Sequence, residues 1–170
     1  MTNPPNNMKI LALDLATKTG WALLASGITS SGVVSFANGT KKAASKHAGG
    51  PFSRCDAWMF EQLLNGGLPD VIIYEEVYRW MSQHAANSYN GYRAMMISNA
   101  SLLGVRCIGY SPPTIKKHFT GRGNANKSAM IAEARRKWPT LHIIDDNQID
   151  ALAILSLHCA NHHLPDIDPQ

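Results

Sequence analysis

The first apolar segment of the chain, residues 11–15, contains a single charged side chain, Asp14, and a turn containing Gly20 follows it. A buried carboxylate without a partner costs several kcal/mol, whereas a divalent cation turns the same burial into a binding site. Asp14 is therefore predicted to be a paired or a metal-bound carboxylate.

Two further acidic groups occur beside apolar runs. Glu75 and Glu76 end the run at residues 71–74. The other group leads into the run at residues 151–155 and consists of Asp145, Asp146 and Asp150. Carboxylates on three separate elements predict one metal centre.

Length and composition indicate one globular domain. With 170 residues, 45% of them hydrophobic and 16% charged, the chain can bury a sizeable core. We predict a single domain over residues 8–164, with flexible termini at residues 1–7 and 165–170. No apolar run approaches the roughly 20 residues that span a bilayer and no secretory pattern begins the chain, so a cytoplasmic protein without a membrane partner is expected. Three widely spaced cysteines favour free thiols.

Basic side chains are concentrated in a part of the chain that contains none of these acids. The net charge is +4, and the cations between residues 116 and 137 are Lys116, Lys117, Arg122, Lys127, Arg135, Arg136 and Lys137. A basic flank beside an acidic metal centre suits a phosphodiester substrate, because cationic side chains neutralise phosphates.

Hydrophobic periodicity predicts an α/β fold. In the first half of the chain it indicates an antiparallel meander of strands at 8–15, 21–25 and 28–36, a loop at 43–50, a helix at 54–64 and a strand at 71–75. In the second half it indicates a long helix at 82–103 that is weakened near Asn90 and Gly91, a strand at 105–110, and helices at 114–119, 127–138 and 147–161. The order βββαβαβα with a final helix predicts a mixed five-stranded sheet with helices on both faces, and it resembles the ribonuclease-H-like fold.

Magnesium suits an all-carboxylate centre because it prefers oxygen ligands and leaves places for water and substrate phosphate. Two ions about 3.5–4 Å apart can activate a water molecule and stabilise the leaving oxygen of an in-line displacement. In such a site Asp14 would bridge both ions, with Glu75 on one side and Asp150 on the other.

Four stretches between residue 8 and about residue 162 carry a resemblance to a known family. They are LALD at 11–14 with TGWA at 19–22, IYEEVY at 73–78, GRGNANKS at 121–128 and DALAI at 150–154. In this order and spacing they resemble the first-strand metal motif, the fourth-strand motif, the glycine-containing basic loop and the C-terminal helix motif of the RuvC family of Holliday-junction resolvases. The compact size resembles phage or viral members of that family.

The resemblance implies a homodimer, encoded by a phage or a bacterium, that binds four-way or other branched DNA and makes paired nicks with Mg²⁺ or Mn²⁺ in recombination and repair. It implies Asp14, Glu75 and Asp150 as metal ligands of a two-ion site. It also implies that Lys116 and Lys127 contact phosphate near the scissile bond, with Lys127 in the catalytic set.

The resemblance places Tyr78 at the position of an aromatic residue that stacks on junction bases. An exposed ring can hold an unpaired base with about 1–3 kcal/mol. The alternative for Tyr78 and Trp80 is an ordinary core or dimer contact. Lys117 and Arg122 complete the expected DNA contacts, and the alternative for Lys116 and Lys127 is a solvated helix face.

One departure from the family's pattern concerns the last helix. Asn147 stands three residues before Asp150, where the family usually has an Asp or His ligand. An amide oxygen is a neutral and weaker ligand, whereas Asp146 is charged and shares a helix face with Asp150. We expect Asp146 to act as the substitute ligand, with Asn147 as the second candidate.

Other acidic and imidazole side chains have ordinary structural explanations. Asp145 is a typical helix-capping carboxylate. Glu76 is expected to point away from Glu75, because side chains alternate along a strand, and to be solvated or salt-bridged. The histidines near the end of the chain are expected at the surface and are His158, His162 and His163.

Three functions are compatible with these features. The first is a structure-selective endonuclease that resolves Holliday junctions as a dimer, with helix 82–103 at the interface. The second is a ribonuclease-H-like nuclease for RNA:DNA hybrids, flaps or single-stranded DNA. The third is a junction-binding protein with a degraded metal site, motivated by Asn147, although a degraded site gives no physical reason to keep three buried acids. The chain is too short for an actin-like ATPase.

Overall fold

The computed structural model describes residues 8–37, 49–64, 67–79, 82–143 and 145–169. Their strands form one sheet and are β1 (Ile10–Asp14), β2 (Lys18–Ala25), β3 (Ile28–Ser35), β4 (Val71–Glu75) and β5 (Arg106–Tyr110). The first three strands are antiparallel neighbours, while β4 runs parallel to β1 and β5 runs parallel to β4. The strand order is therefore β3-β2-β1-β4-β5.

Helices cover both faces of this sheet. The described helices are α1 (Gly50–Leu64), α2 (Gln83–Leu102), α3 (Pro112–Thr120), α4 (Lys127–Lys137) and α5 (Asp146–Asn161). One hydrophobic core lies between the sheet and α1 and α2. A second core lies between the opposite face and α3, α4 and α5. The predicted α/β architecture, a mixed five-stranded sheet with helices on both faces, is confirmed.

Alternation along β1 and β4 divides their side chains between these two cores. Ile10, Ala12 and Ile73 belong to the core under α5. Leu13 and Tyr74 belong to the core under α1 and α2. Because strand side chains alternate, Asp14 and Glu75 lie on the same face as Ala12 and Ile73, which is the α5 face. Glu76 lies on the α2 face with Tyr74.

The long helix α2 is not interrupted at Asn90 and Gly91, which differs from the expected weakening there. Gly91 instead provides space for a neighbouring ring, because a Cβ atom at this position would lie 2.5 Å from Cε1 of Phe52. Tertiary packing between α1 and α2 therefore outweighs the low helix propensity of this pair of residues.

The described residues 165–169 are packed against the domain, which differs from the flexible tail expected at residues 165–170. Ile167 is buried, and its carbonyl oxygen accepts a hydrogen bond of 3.2 Å from the indole nitrogen of Trp138. Pro169 pairs with Thr29 on the edge strand β3. Apolar contact with the core under α5 explains why this proline-containing segment is held in place.

Some expectations fall on residues outside the described ranges. These are the flexible segment at 1–7, most of the loop at 43–50, and Trp80. Among the helices that are described, none is both long enough and apolar enough to cross a membrane.

Candidate active site

Three elements bring carboxylates to one edge of the sheet. Asp14 is the last residue of β1 and Glu75 is the last residue of β4. These strands are parallel neighbours, so their carboxyl ends lie at the same edge. Helix α5 packs on β1, β2 and β4 on the same face and carries Asp146 and Asp150 in its first turns. We call Asp14, Glu75, Asp146 and Asp150 the acidic cluster.

A glycine explains how α5 comes so close to Asp14. Gly20 pairs with Asp14 in the β1–β2 ladder. A Cβ atom on Gly20 would lie 1.8 Å from the backbone oxygen of Asn147, a distance that no side chain could tolerate. The missing side chain therefore allows the N-terminus of α5 to rest on the backbone beside Asp14.

Asp14 is the most perturbed member of the acidic cluster. Its side chain keeps some contact with solvent, but burial is the main reason that its pKa lies well above the usual range. Repulsion from Glu75, Asp150 and Asp146 raises the pKa further. No cationic side chain among the described residues forms an ion pair with Asp14.

Glu75 and Asp150 show the same effect, moderated by lysines. Burial and repulsion from Asp150 raise the pKa of Glu75 to about 7, while Lys116 acts in the opposite direction. Burial and repulsion from Asp146 raise the pKa of Asp150 to about 6, while Lys116 and Lys127 oppose the shift. The fold therefore concentrates negative charge that its own cations only partly neutralise.

The donor set of the acidic cluster fits a hard divalent cation in type and charge, because it consists of carboxylate oxygens. Within the described ranges, no three His, Cys, Asp or Glu side chains converge tightly enough to enclose a metal ion. An ion here would have few protein ligands, with water and phosphate oxygens completing its shell. That arrangement is the usual one for Mg²⁺.

Asp145 caps the N-terminus of α5, which confirms the capping role predicted for it. Its Oδ1 accepts hydrogen bonds from the backbone nitrogen of Asn147 at 3.0 Å and from the side-chain nitrogen of Asn147 at 2.6 Å. Its other oxygen pairs with Lys18. Hydrogen bonding to Lys18 and then to Asn147 lowers the pKa of Asp145 to about 2.

Asp146 and Lys127, both predicted site residues, contact each other. Their side chains form an ion pair with a separation of 2.7 Å. The hydrogen bond to Asp146 raises the pKa of Lys127. Because the lysine side chain is 66% exposed, water and ions screen this pair and a phosphate or a metal ion can compete for either partner.

The other predicted basic residues lie along α3 and the loop after it. Lys116 is partly buried, and its charge lowers the pKa of both Glu75 and Asp150. Lys117 and Arg122 are exposed. Lys116 on α3 and Lys127 at the start of α4 therefore lie beside the acidic cluster, while Lys117 and Arg122 are accessible to a polyanion.

Tyr78 follows β4 by three residues and is 75% exposed. A core role for this ring, one of the expected alternatives, is therefore wrong. A stacking surface and a contact with another chain are the two predictions that remain for Tyr78.

The prediction for Glu76 is confirmed, whereas the prediction for His158 is wrong. Glu76 is salt-bridged as expected, to Arg93 at 2.8 Å. His158 is not at the surface, because it is 3% exposed and its Nδ1 shares a hydrogen bond of 2.8 Å with the hydroxyl of Tyr110. Burial, followed by the nearby His162, lowers the pKa of His158 to about 4.

Lys18 is a residue beside the site that the sequence reasoning missed. Its partner Asp145 is close enough to raise the pKa of Asp14 by repulsion. The available signal was its place in the turn four residues after Asp14, where a charged side chain follows a buried carboxylate.

Comparison with solved structures shows which fold class this protein has. It resembles Thermus thermophilus RuvC in complex with Holliday junction substrate, with a TM-score of 0.72, 21% identity, and coverage of 92% of this chain and 95% of that chain. It also resembles the crystal structure of the yeast mitochondrial Holliday junction resolvase, with a TM-score of 0.60, 14% identity, and coverage of 89% and 77%. These likenesses confirm the ribonuclease-H-like fold.

Sequence comparison finds similarity to RuvC proteins. No family model matches the chain. The chain is 27% identical over 104 residues to the crossover junction endodeoxyribonuclease RuvC of Brachyspira hyodysenteriae, a match that spans 61% of this chain and 64% of that protein. It is 25% identical over 156 residues to the RuvC of Parvibaculum lavamentivorans, spanning 91% and 87%. The resemblance to RuvC is confirmed.

Proposed function

We propose that this protein is a structure-selective endonuclease that resolves Holliday junctions, and other branched DNA, by metal-dependent hydrolysis of phosphodiester bonds. The observation that carries the proposal is that the partly buried carboxylates of Asp14, Glu75 and Asp150 lie at one edge of the sheet, with no cation paired to Asp14 among the described residues. The names of the RuvC relatives and the junction complex of the structural neighbour support the same activity.

Asp14, Glu75 and Asp150 are the proposed metal ligands, with Asp146 or Asn147 as the fourth. A divalent cation held there, Mg²⁺ or Mn²⁺ as one of two ions, would supply a Lewis acid for the phosphate and lower the pKa of a bound water. The carboxylates hold their negative charge in a partly buried place, which favours cations over neutral ligands. Asp146 becomes available as a ligand when Lys127 leaves it for a phosphate.

The basic residues are proposed to position the DNA. Lys116, beside Glu75 and Asp150, and Lys127, at the start of α4, would contact phosphates next to the scissile bond. Lys117 and Arg122 would contact the flanking backbone. Tyr78 would stack on bases at the junction centre, because its ring is exposed and lies close in sequence to Glu75.

Paired nicks require two active sites related by two-fold symmetry, so we propose a homodimer. Helix α2 is the proposed dimer interface. The apolar side chain of Leu102 at its end is exposed, which supports the proposal that a second copy of the chain covers it. We propose that residues 8–169, including the segment that packs against Trp138 and Thr29, act as one nuclease domain in the cytoplasm of a bacterial host.

The test is cleavage of a labelled four-way junction beside a linear duplex, a flap and an RNA:DNA hybrid, each with Mg²⁺, Mn²⁺ or a chelator. Symmetric metal-dependent nicks in the junction are expected. Cleavage of the hybrid or flap alone would replace the proposal with the general ribonuclease-H-like nuclease. Junction binding without cleavage in either metal would indicate a degraded site.

A further inference from the structure

Two side chains of α2 contact the segment that leaves the end of β4. Tyr89 is 4% exposed, and its hydroxyl donates a hydrogen bond of 2.7 Å to the carbonyl oxygen of Glu75. The same hydroxyl accepts a hydrogen bond of 3.3 Å from the backbone nitrogen of Val77. One buried hydroxyl therefore joins two backbone groups on either side of Glu76.

These backbone groups lie where the sheet ends. The backbone nitrogen of Glu76 still donates to the carbonyl oxygen of Tyr110 on β5 at 2.8 Å. Val77 lies beyond the β4–β5 ladder, whose last pair is Glu75 with Tyr110. A backbone amide away from water needs a partner, and the hydroxyl of Tyr89 supplies the one that the sheet no longer provides.

Arg93 holds the same segment through side chains. It lies four residues after Tyr89, hence on the same face of α2. Its guanidinium donates to the carboxylate of Glu76 at 2.8 Å and to the hydroxyl of Tyr74 at 3.2 Å. Gly109 leaves the space for Glu76, because a Cβ atom there would lie 2.7 Å from its Oε2.

We propose that Tyr89 and Arg93 are positioning residues, which fix the end of β4 so that Glu75 faces the acidic cluster and Tyr78 leaves the sheet in a defined direction. This inference rests on the proposed function, since it assigns these residues to the support of a metal ligand and of a base-stacking ring. Neither residue touches the reacting atoms. They act through the backbone of residues 75–77 and through Glu76.

The first test compares Tyr89→Phe with Tyr110→Phe. Each variant keeps its ring and loses the hydrogen bonds of one hydroxyl, but the hydroxyl of Tyr110 contacts His158 and not β4. Two quantities are measured: the Mg²⁺ concentration that gives half-maximal junction cleavage, and the Mg²⁺ concentration that gives half of the metal-induced rise in melting temperature without DNA. The second readout reports metal binding independently of catalysis.

For Tyr89→Phe we expect both Mg²⁺ midpoints to rise by about 10-fold, as is typical when the support of a metal ligand is lost, while the cleavage rate at saturating Mg²⁺ changes less. Tyr110→Phe should lower the melting temperature without moving either midpoint. Equal Mg²⁺ midpoints in the two variants would overturn the positioning role and leave Tyr89 as a structural residue.

A second variant keeps the inference testable if Tyr89→Phe does not fold. Arg93→Gln removes the ion pair with Glu76 from a partly exposed position, so it should be tolerated by the fold, and it should raise the same two midpoints. Unchanged midpoints in Arg93→Gln would overturn its part in the inference. A further readout is the fluorescence of 2-aminopurine placed at the junction centre. Because both variants are expected to displace Tyr78, each should reduce the change in this fluorescence when the junction binds.

The outcomes also separate this inference from the proposed function. If the unmodified protein shows metal-dependent cleavage and stabilisation, but the α2 variants behave like Tyr110→Phe, only the positioning role fails. If the unmodified protein shows neither response with Mg²⁺ or with Mn²⁺, the proposed function fails and the inference fails with it.

Discussion

Glu75 and Glu76 are adjacent in the chain but lie on opposite faces of the sheet, and their environments differ completely. On the α2 face, the carboxylate of Glu76 is neutralised by Arg93 at 2.8 Å. On the α5 face, burial and the charge of Asp150 raise the pKa of Glu75 to about 7. Two identical side chains therefore serve different purposes because strand alternation directs them into different layers.

The difference between the two faces indicates where a ligand belongs. On the α2 face, Arg93 neutralises the partly buried carboxylate of Glu76, so this carboxylate needs no external ligand. On the α5 face it gathers Asp14, Glu75 and Asp150 without enough cations, which costs stability in the absence of a ligand. Such a cost is typical of a functional site rather than of a structural one.

The largest expected effect comes from Asp14→Asn, which removes one charge from the acidic cluster. Cleavage should fall by about two to three orders of magnitude or more, as when other charge-stabilising groups are removed from an active site. Junction binding should remain or become tighter, because the basic surface is untouched. Cleavage assays and gel shifts measure the two properties, and Glu133→Gln, which changes a carboxylate of α4 that pairs with Arg136, is the matched control. Loss of binding together with cleavage would contradict a metal-ligand role.

Gly20→Ala tests whether the α5 face depends on the close approach of the helix. The new methyl group would meet the backbone oxygen of Asn147, and forced overpacking of this kind costs about 1–3 kcal/mol. Chemical denaturation should show this loss, together with slower cleavage. Gly49→Ala is the matched control, because a Cβ atom there meets no neighbour. Equal stability of the two variants would show that α5 can shift freely.

The two glutamates should respond to neutralisation with opposite signs. Above the pKa of Glu75, Glu75→Gln removes a repelling charge and should stabilise the metal-free protein by about 1 kcal/mol. Glu76→Gln breaks a partly buried ion pair and should destabilise it by about 1 kcal/mol. Denaturant midpoints measured with a chelator present test this prediction. If both variants changed the stability in the same direction, the proposed difference between the two faces would be wrong.

The pH dependence of stability sharpens the same contrast. The pKa of Glu75 is raised from 4.5 to about 7, so the folded state binds its proton more tightly than the unfolded chain does. The resulting stabilisation is complete below pH 4.5 and is lost as the pH rises to about 7. The stability of the metal-free protein relative to Glu75→Gln should therefore fall across this range. His158, with a pKa lowered to about 4, gives an opposite trend that is common to both proteins and cancels.

The smallest expected effect comes from Lys127, the exposed lysine beside the acidic cluster. Lys127→Ala should weaken junction binding and reduce the slope of log affinity against log salt by about one phosphate contact. Arg136→Ala, on the same helix but paired with Glu133, is the control and should leave the slope unchanged. Equal slopes for Lys127→Ala and the unmodified protein would assign Lys127 to a solvated surface.

Much of this arrangement follows from local patterns. Apolar runs ending in Asp14 and Glu75 predicted the strands and their acidic ends, and alternation placed Glu76 on the other face. The capping role of Asp145 also follows from its position immediately before a helix. These features depend on residues that are close in sequence, where periodicity and hydrogen bonding of the backbone decide the outcome.

Contacts between distant residues could not be predicted in this way. The burial of His158 depends on Tyr110, 48 residues earlier, and the packed tail depends on Trp138. The continuity of α2 at Gly91 depends on Phe52 of another helix. Each of these contacts exists only because the layers of the sheet and helices bring the partners together.

The sequence by itself determined the order of the elements, the opposite orientation of Glu75 and Glu76, and the concentration of cations between residues 116 and 137. Only the tertiary structure decided that Lys127 pairs with Asp146, that Lys18 pairs with Asp145, and that Tyr89 supports the end of β4. The physical reason is that strand and helix patterns fix directions along the chain, whereas the pairing of charges and hydroxyls requires distances across it.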